Sequence, residues 1–207
     1  MAEYRLHCMK ESGNCYKAAL MLQLCGCDWE PVGIDYFNGA TREAAFRDEF
    51  NEMGEIPVLD HGERRLSQSG VILTYLAGIT GKFAGRNEDE KLEILRWMLF
   101  DNHKFTSYYA TLRFLFGLQK CGETPVTEFL RGRALGAWTV VEKHLASRPF
   151  LVGEIPTIAD LSLAGYVYYT DETGIDRAAF PNINAWAGRI AALPGWQHPY
   201  SLMSTAS

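Results

Sequence analysis

Three short stretches between residues 12 and 70 hold side chains suited to binding or activating a small anion. Ser12-Gly13-Asn14-Cys15 lies between a strand-like run and a helix-like one, Glu55-Ile56-Pro57 leads into another strand-like run, and Ser67-Gln68-Ser69-Gly70 opens a further helical pattern. A hydroxyl at a strand-to-helix junction donates a hydrogen bond to an anion beside unpaired helix amides, whose partial positive charge adds to the attraction. Ser12 and Ser69 fit that description, and Ser12, Asn14 and Ser69 fit equally well as plain helix caps, which need no ligand. Cys15 brings a thiol to the same junction, where an exposed sulfur would ionise more easily and form mixed disulfides. A proline opening a strand behind an acidic, glycine-bearing loop is compatible with a cis peptide, which would turn the Ile56 N–H and C=O outward toward an extended ligand.

Alternating elements must position these stretches. Tyr4 to Met9 alternates as a short strand, Cys15 to Cys25 has helical spacing with Gly26 as its stop, and Trp29 to Asp35 is a second strand candidate. Thr41 to Phe50 reads as a second helix. Ile56 to Asp60 and Arg64 to Leu66, around His61-Gly62-Glu63, read as a hairpin, and Ser69 to Ile79 as a third helix. The order is β-α-β-α-β-β-α over residues 1–80. Beyond a polar, glycine-bearing linker the strand signals fade, and residues 87–207 read as an all-helical domain. Glu88 to Leu118 is one long helix or a broken pair, Pro125 opens another to Ala146, and Pro181 opens a last one from Asn182 to Leu193. Thr157-Ile158-Ala159-Asp160 has capping-box spacing with Asp in place of Glu and is read as a nucleation signal for a buried helix, not as chemistry.

Composition narrows the class. The 207 residues are 47% hydrophobic and 22% charged, enough apolar content for a substantial core. Residues 1–80 carry seven Lys and Arg against twelve Asp and Glu, whereas residues 81–207 carry thirteen of each, so the net charge of -5 is all N-terminal. Neither part has the basic stripe that phosphate binding demands, and nucleic acid is not an expected partner. No apolar run approaches the ~18 residues of a membrane span, and the start lacks a leader pattern, so the expectation is a cytoplasmic protein with no membrane partner. Five cysteines in odd number, without Cys-x-x-Cys spacing, suggest neither a disulfide framework nor a metal site.

Together the motifs strongly resemble the soluble glutathione transferase family along nearly the whole chain, and its bacterial members in particular. The resemblance rests on Ser-Gly-Asn-Cys-Tyr-Lys at 12–17, Met-Gly-Glu-Ile-Pro-Val-Leu at 53–59, Leu-Ser-Gln-Ser-Gly-Val-Ile-Leu-Thr-Tyr-Leu at 66–76 and Thr-Ile-Ala-Asp at 157–160. It implies a thioredoxin-like N-terminal domain followed by an all-α C-terminal domain, and a homodimer acting in detoxification. It further implies that Pro57 is cis, that Ile56 pairs with the cysteinyl part of glutathione, and that Gln68 and Ser69 hold the γ-glutamyl end, with Ser12 and Asn14 completing the glutathione site. Many relatives have Glu where this chain has Gln68, so one charged contact to the γ-glutamyl ammonium becomes neutral and binding is expected to weaken.

Glutathione then enters as a co-substrate, with no metal, and the task is to ionise its thiol. A free thiol ionises near pKa ~8.5, and lowering that by ~2 units takes ~2.7 kcal/mol of preferential thiolate stabilisation, the order of a hydroxyl hydrogen bond plus a helix N-terminus. Ser12 and Cys15 are the catalytic candidates. Cys15 is in register with Ala19 and Leu22, the face expected against the sheet, and Ser12 precedes the helix, so Ser12 is preferred; Tyr4 and Tyr16 are weaker candidates. Asp101, Phe105 and Tyr108 share one helical face by spacing and are expected to wall the site of a hydrophobic electrophile, while the neighbouring His103 and Lys104 are assigned no role. The expected activity is thiolate attack on that electrophile. The alternatives are a glutathione-dependent disulfide reductase or peroxidase working through Cys15, and a non-catalytic binding protein on the same fold.

Overall fold

A computed structural model describes residues 2–169 and 172–206. The chain divides into two compact units, one of Met1–Lys82 with Leu193–Ser207 and the other of Phe83–Ala192. Residues 193–207, which the sequence pattern places in the helical domain, therefore pack with the N-terminal one.

In the first unit the expected order holds: β1 (Tyr4–Cys8), α1 (Gly13–Cys25), β2 (Trp29–Gly33), α2 (Ala44–Glu49), β3 (Val58–His61), β4 (Arg64–Ser67) and α3 (Ser69–Thr80). The sheet runs β2-β1-β3-β4, with β1 and β2 parallel and the other two pairings antiparallel. Since β1 is central, both its faces are covered: Leu6 and Cys8 are fully buried on one, and His7 is buried on the other. The helix expected over 41–50 is shorter, because a 3-10 turn at Ala40–Arg42 and an extended Glu43 precede α2. Every residue of α1 from Cys15 to Leu22 is buried, packed by α3, β1, β2 and the short C-terminal helix Pro199–Leu202, so it has no solvent face for most of its length. Gly26 ends it in the left-handed region at φ 70°, a conformation in which a Cβ would be strained. The returning C-terminal segment is tied down at the carbonyl of Gln197, which accepts a hydrogen bond from the Tyr16 hydroxyl at 2.8 Å.

The second unit holds α4 (Glu88–Phe100), α5 (Thr106–Arg113), α6 (Pro125–Leu145), α7 (Ile158–Leu163) and α8 (Pro181–Ala191). The long helical pattern from Glu88 breaks at two π turns, Asp101–Phe105 and Phe114–Leu118, each closed by an i→i+5 backbone bond. Trp138 is fully buried at the centre, stacked on Phe105 at 5.5 Å and Tyr109 at 5.2 Å, with Phe180 edge-on. The capping box at Thr157 is present, and its Asp160 is a buried hub: the carboxylate accepts from the backbone N–H of Leu151 and Thr157, the Thr157 hydroxyl and the Trp186 indole. Breaking such a hub strands several donors, each at a cost of ~1–3 kcal/mol.

Candidate functional site

Strand register gathers the three stretches of interest. His7 on β1 pairs with Val58 on β3, which pairs with Ser67 on β4. The loop leaving β1 toward Ser12, the Ile56-Pro57 peptide entering β3, and Gln68-Ser69 leaving β4 thus lie at one end of the sheet.

Ser12 is the N-cap of α1. Its Oγ accepts from the Cys15 N–H at 3.2 Å, and its own N–H donates to the Met9 carbonyl at 3.1 Å. A hydroxyl that accepts at one lone pair keeps its proton to donate elsewhere, so capping and anion binding are compatible in one side chain. Cys15, one turn in, is fully buried, and that burial pushes its thiol up to about 12, against a smaller opposing pull from the Ser12 hydroxyl. Such a thiol is neither ionised nor accessible near neutrality. Tyr4, likewise pushed up to about 12 by burial, stacks on the His61 ring, and the buried Tyr16 is committed to Gln197. Asn14 Oδ1 is buried without a hydrogen-bond partner among the described residues.

The Ile56-Pro57 peptide bond is cis. Neither the N–H nor the C=O of Ile56 pairs with another described residue. Asn51 organises the loop before it: its side-chain amide donates to the Glu55 carbonyl at 2.8 Å and its Oδ1 accepts from the Met53 N–H at 3.2 Å. Gly54, at φ 67°, admits no side chain, since a Cβ there would meet the Arg47 guanidinium at 2.5 Å and the Thr41 carbonyl at 2.8 Å. Gln68 also has positive φ, at 67°, although it is not glycine. Its amide Nε2 donates to Glu55 Oε2 at 2.7 Å, and Ser69 is buried at the first position of α3. Residues held in such backbone conformations cost ~1–3 kcal/mol and concentrate at ligand clamps.

Asn51 escaped the sequence reading, and Glu55, named there at the head of the Ile56-Pro57 stretch, was given no role of its own. An Asn preceding a glycine-bearing turn was the available signal for Asn51. On the opposite face of β1, His7 Nε2 lies 2.8 Å from Asp60 Oδ2, and Arg65 bridges Asp60 and the Glu49 carbonyl, with its guanidinium over Phe50. This network ties α2, and the loop after it, to the sheet.

The expected second-substrate wall requires correction. Asp101 is fully buried and accepts from the hydroxyls of Thr106 at 2.5 Å and Ser162 at 2.6 Å, while Phe105 is stacked on Trp138 in the interior. The π turn adds a residue between Asp101 and α5, so spacing counted on a regular helix assigns Tyr108 to the wrong face. Tyr108 instead lines a cavity of about 310 Å³ with Phe100, Lys104, Arg133, Ala137 and Val140. Its phenol accepts from Arg133 at 3.1 Å, which holds its pKa below the ordinary value. His103 is exposed, and the Lys104 ammonium sits 5.9 Å from the Tyr108 ring. Among the described residues no group of three or more His, Cys, Asp or Glu side chains is placed to hold a metal ion.

A sheet of this topology, with a cis proline and a strained residue opening α3 at one end, and a separate helical unit, defines a thioredoxin-like domain joined to an all-α domain. Residues 3–78 match the glutathione S-transferase N-terminal domain and residues 124–189 the glutathione S-transferase C-terminal domain. The chain is 30% identical to glutathione S-transferase F14 of Arabidopsis thaliana, over 94% of this chain and 82% of that one. It is 29% identical to the disulfide-bond oxidoreductase YfcG of Escherichia coli, over 87% of each. A crystal structure of a glutathione S-transferase from Pseudomonas fluorescens superposes with a TM-score of 0.90 at 33% identity, covering 96% of this chain and 99% of that one. The chain belongs to the glutathione S-transferase family. No helix among the described residues is long and apolar enough to cross a membrane.

Proposed function

We propose that this chain binds glutathione at the sheet end and uses Ser12 to hold its thiol as thiolate for attack on an apolar electrophile. The observation that carries the reading is the convergence, through one strand register, of Ser12, the unpaired Ile56 peptide groups and the Gln68-Ser69 helix start. In this reading the Ile56 N–H and C=O pair with the cysteinyl backbone, and Ser69 and the α3 amides receive the γ-glutamyl carboxylate. Asn14 lies beside Ser12 with a side-chain oxygen still to be satisfied. The Ser12 proton and the α1 amides then face the sulfur, and catalysis is chiefly the placing of that nucleophile. Tyr108 and its cavity are the part of the expected electrophile wall that remains available.

The proposal includes a homodimer in the cytoplasm, where five free cysteines are at home. Disulfide exchange through Cys15 is not supported by the burial of that thiol. The test is steady-state conjugation of a chromogenic aryl halide by Ser12→Ala. We expect kcat/KM to fall by about twenty-five-fold at pH 7, the change in thiolate fraction for a shift of ~2 units from ~8.5, and by much less at pH 9, where glutathione ionises unaided. A variant that loses glutathione affinity and turnover equally at every pH would sink the role given to Ser12.

A further inference from the structure

We infer that Glu55 is a specificity-determining residue that supplies the negative charge for the α-ammonium of the γ-glutamyl group; the inference rests on the glutathione reading of the site. Gln68 alone offers a neutral acceptor at the start of α3. Beside it, however, the Glu55 carboxylate accepts from Gln68 Nε2 at 2.7 Å. Two consequences follow for the ligand. The amide of Gln68 is oriented, with Nε2 turned toward Glu55 and Met53 Sδ and its Oε1 left as an acceptor. Glu55 keeps its second oxygen, is exposed, and has no cationic partner among the described residues.

The placement of Glu55 is built into the backbone. Asn51 holds the Glu55 carbonyl, and the packing of Gly54 against Arg47 and Thr41 leaves the loop one path. A carboxylate and an amide oxygen therefore stand next to the N-terminus of α3, where Ser69 and free amides attract negative charge. Adjacent sites for a cation and an anion are complementary to the zwitterionic amino-acid head that glutathione carries at its γ-glutamyl end. The charge absent at position 68 is thus provided from the neighbouring loop, thirteen residues away in sequence.

Calorimetric titration of wild type and Glu55→Gln with glutathione and with glutaryl-cysteinylglycine, which keeps the carboxylate and lacks only the α-amino group, tests this. Glu55→Gln should weaken glutathione binding about fivefold, the range of an exposed charge pair, and leave the truncated peptide unchanged. The double variant Glu55→Gln/Gln68→Glu, which moves the charge across the hydrogen bond, should recover most of the loss. Unchanged or tighter binding of glutathione by Glu55→Gln, or an equal loss for both peptides, overturns the assignment of Glu55. Failure of wild type to bind either peptide overturns the glutathione reading itself, and this inference with it.

Discussion

Ser12 caps α1 and, in the proposed function, also activates the thiol, so its replacement needs a control at the same scale. Alanine removes the cap as well as the proton donor, and the cap alone is worth ~1 kcal/mol. Asp is an equally good N-cap and, ionised, has no proton to give; Ser12→Asp should keep the melting temperature and still lose conjugation at pH 7. Gln68 allows a separate prediction. Its φ of 67° is available to glycine without strain, so Gln68→Gly should raise stability in urea by about 1 kcal/mol while weakening glutathione binding. Destabilisation instead would mean that the backbone there is not strained. At this scale much was legible: Ser12, the Ile56-Pro57 pair and Gln68-Ser69 stand out because helix starts and cis-compatible prolines have local signatures. Glu55 was not, because what makes it interesting is a side chain thirteen residues further on. Cys15 was placed inward by its register with Ala19 and Leu22, although α1 is buried on nearly every side, so any register would have given that answer.

Elements explain where counting residues fails. Asp101, Phe105 and Tyr108 fall on one face only if the helix is regular, and nothing in the side-chain pattern marks the π turn that shifts them. The strands, by contrast, were readable from short apolar patterns and the turn residues between them. What alternation hid was the second buried face of β1, where His7 meets Asp60. Burial lowers the His7 pKa below 6.5, despite the opposing pull of Asp60, whose own pKa is raised by burial but lowered further by hydrogen bonds from Arg65 and His7. Both directions agree with a neutral imidazole donating its Nε2 proton to an ionised carboxylate. The unfolded chain then binds a proton at His7 more readily than the folded one. Its contribution to stability is complete above 6.5 and is lost as pH falls from there through the lowered folded value. Urea melts of wild type and His7→Gln between pH 5 and 8 should show a difference that changes only toward the acidic end. A constant offset across the range would assign His7 to packing alone.

For the whole molecule, the division into a mixed unit and a helical one was legible, since strand-like and helical patterns alternate to about residue 80 and the strand-like ones fade beyond the linker. The N-terminal excess of negative charge repels an anionic peptide in bulk, so the proposed glutathione site must draw its ligand through the local helix starts at Ser12 and Ser69. Along α4, Leu92, Leu95 and Leu99 are 65, 51 and 62% exposed on one face, an apolar edge that a second copy of the chain would cover in the proposed homodimer. Leu95→Asp should therefore halve the mass measured by light scattering, and a wild type already monomeric at micromolar concentration would remove that part of the proposal. The return of residues 193–207 to the first unit has a consequence for synthesis. A domain whose parts flank another unit in sequence cannot close before that unit has emerged from the ribosome: the bond from the Tyr16 hydroxyl to Gln197 must wait until the helical unit between them has been made. The helical unit, contiguous in sequence, is free to fold first, and the domain proposed to hold glutathione is completed only by residues that follow that unit in the sequence.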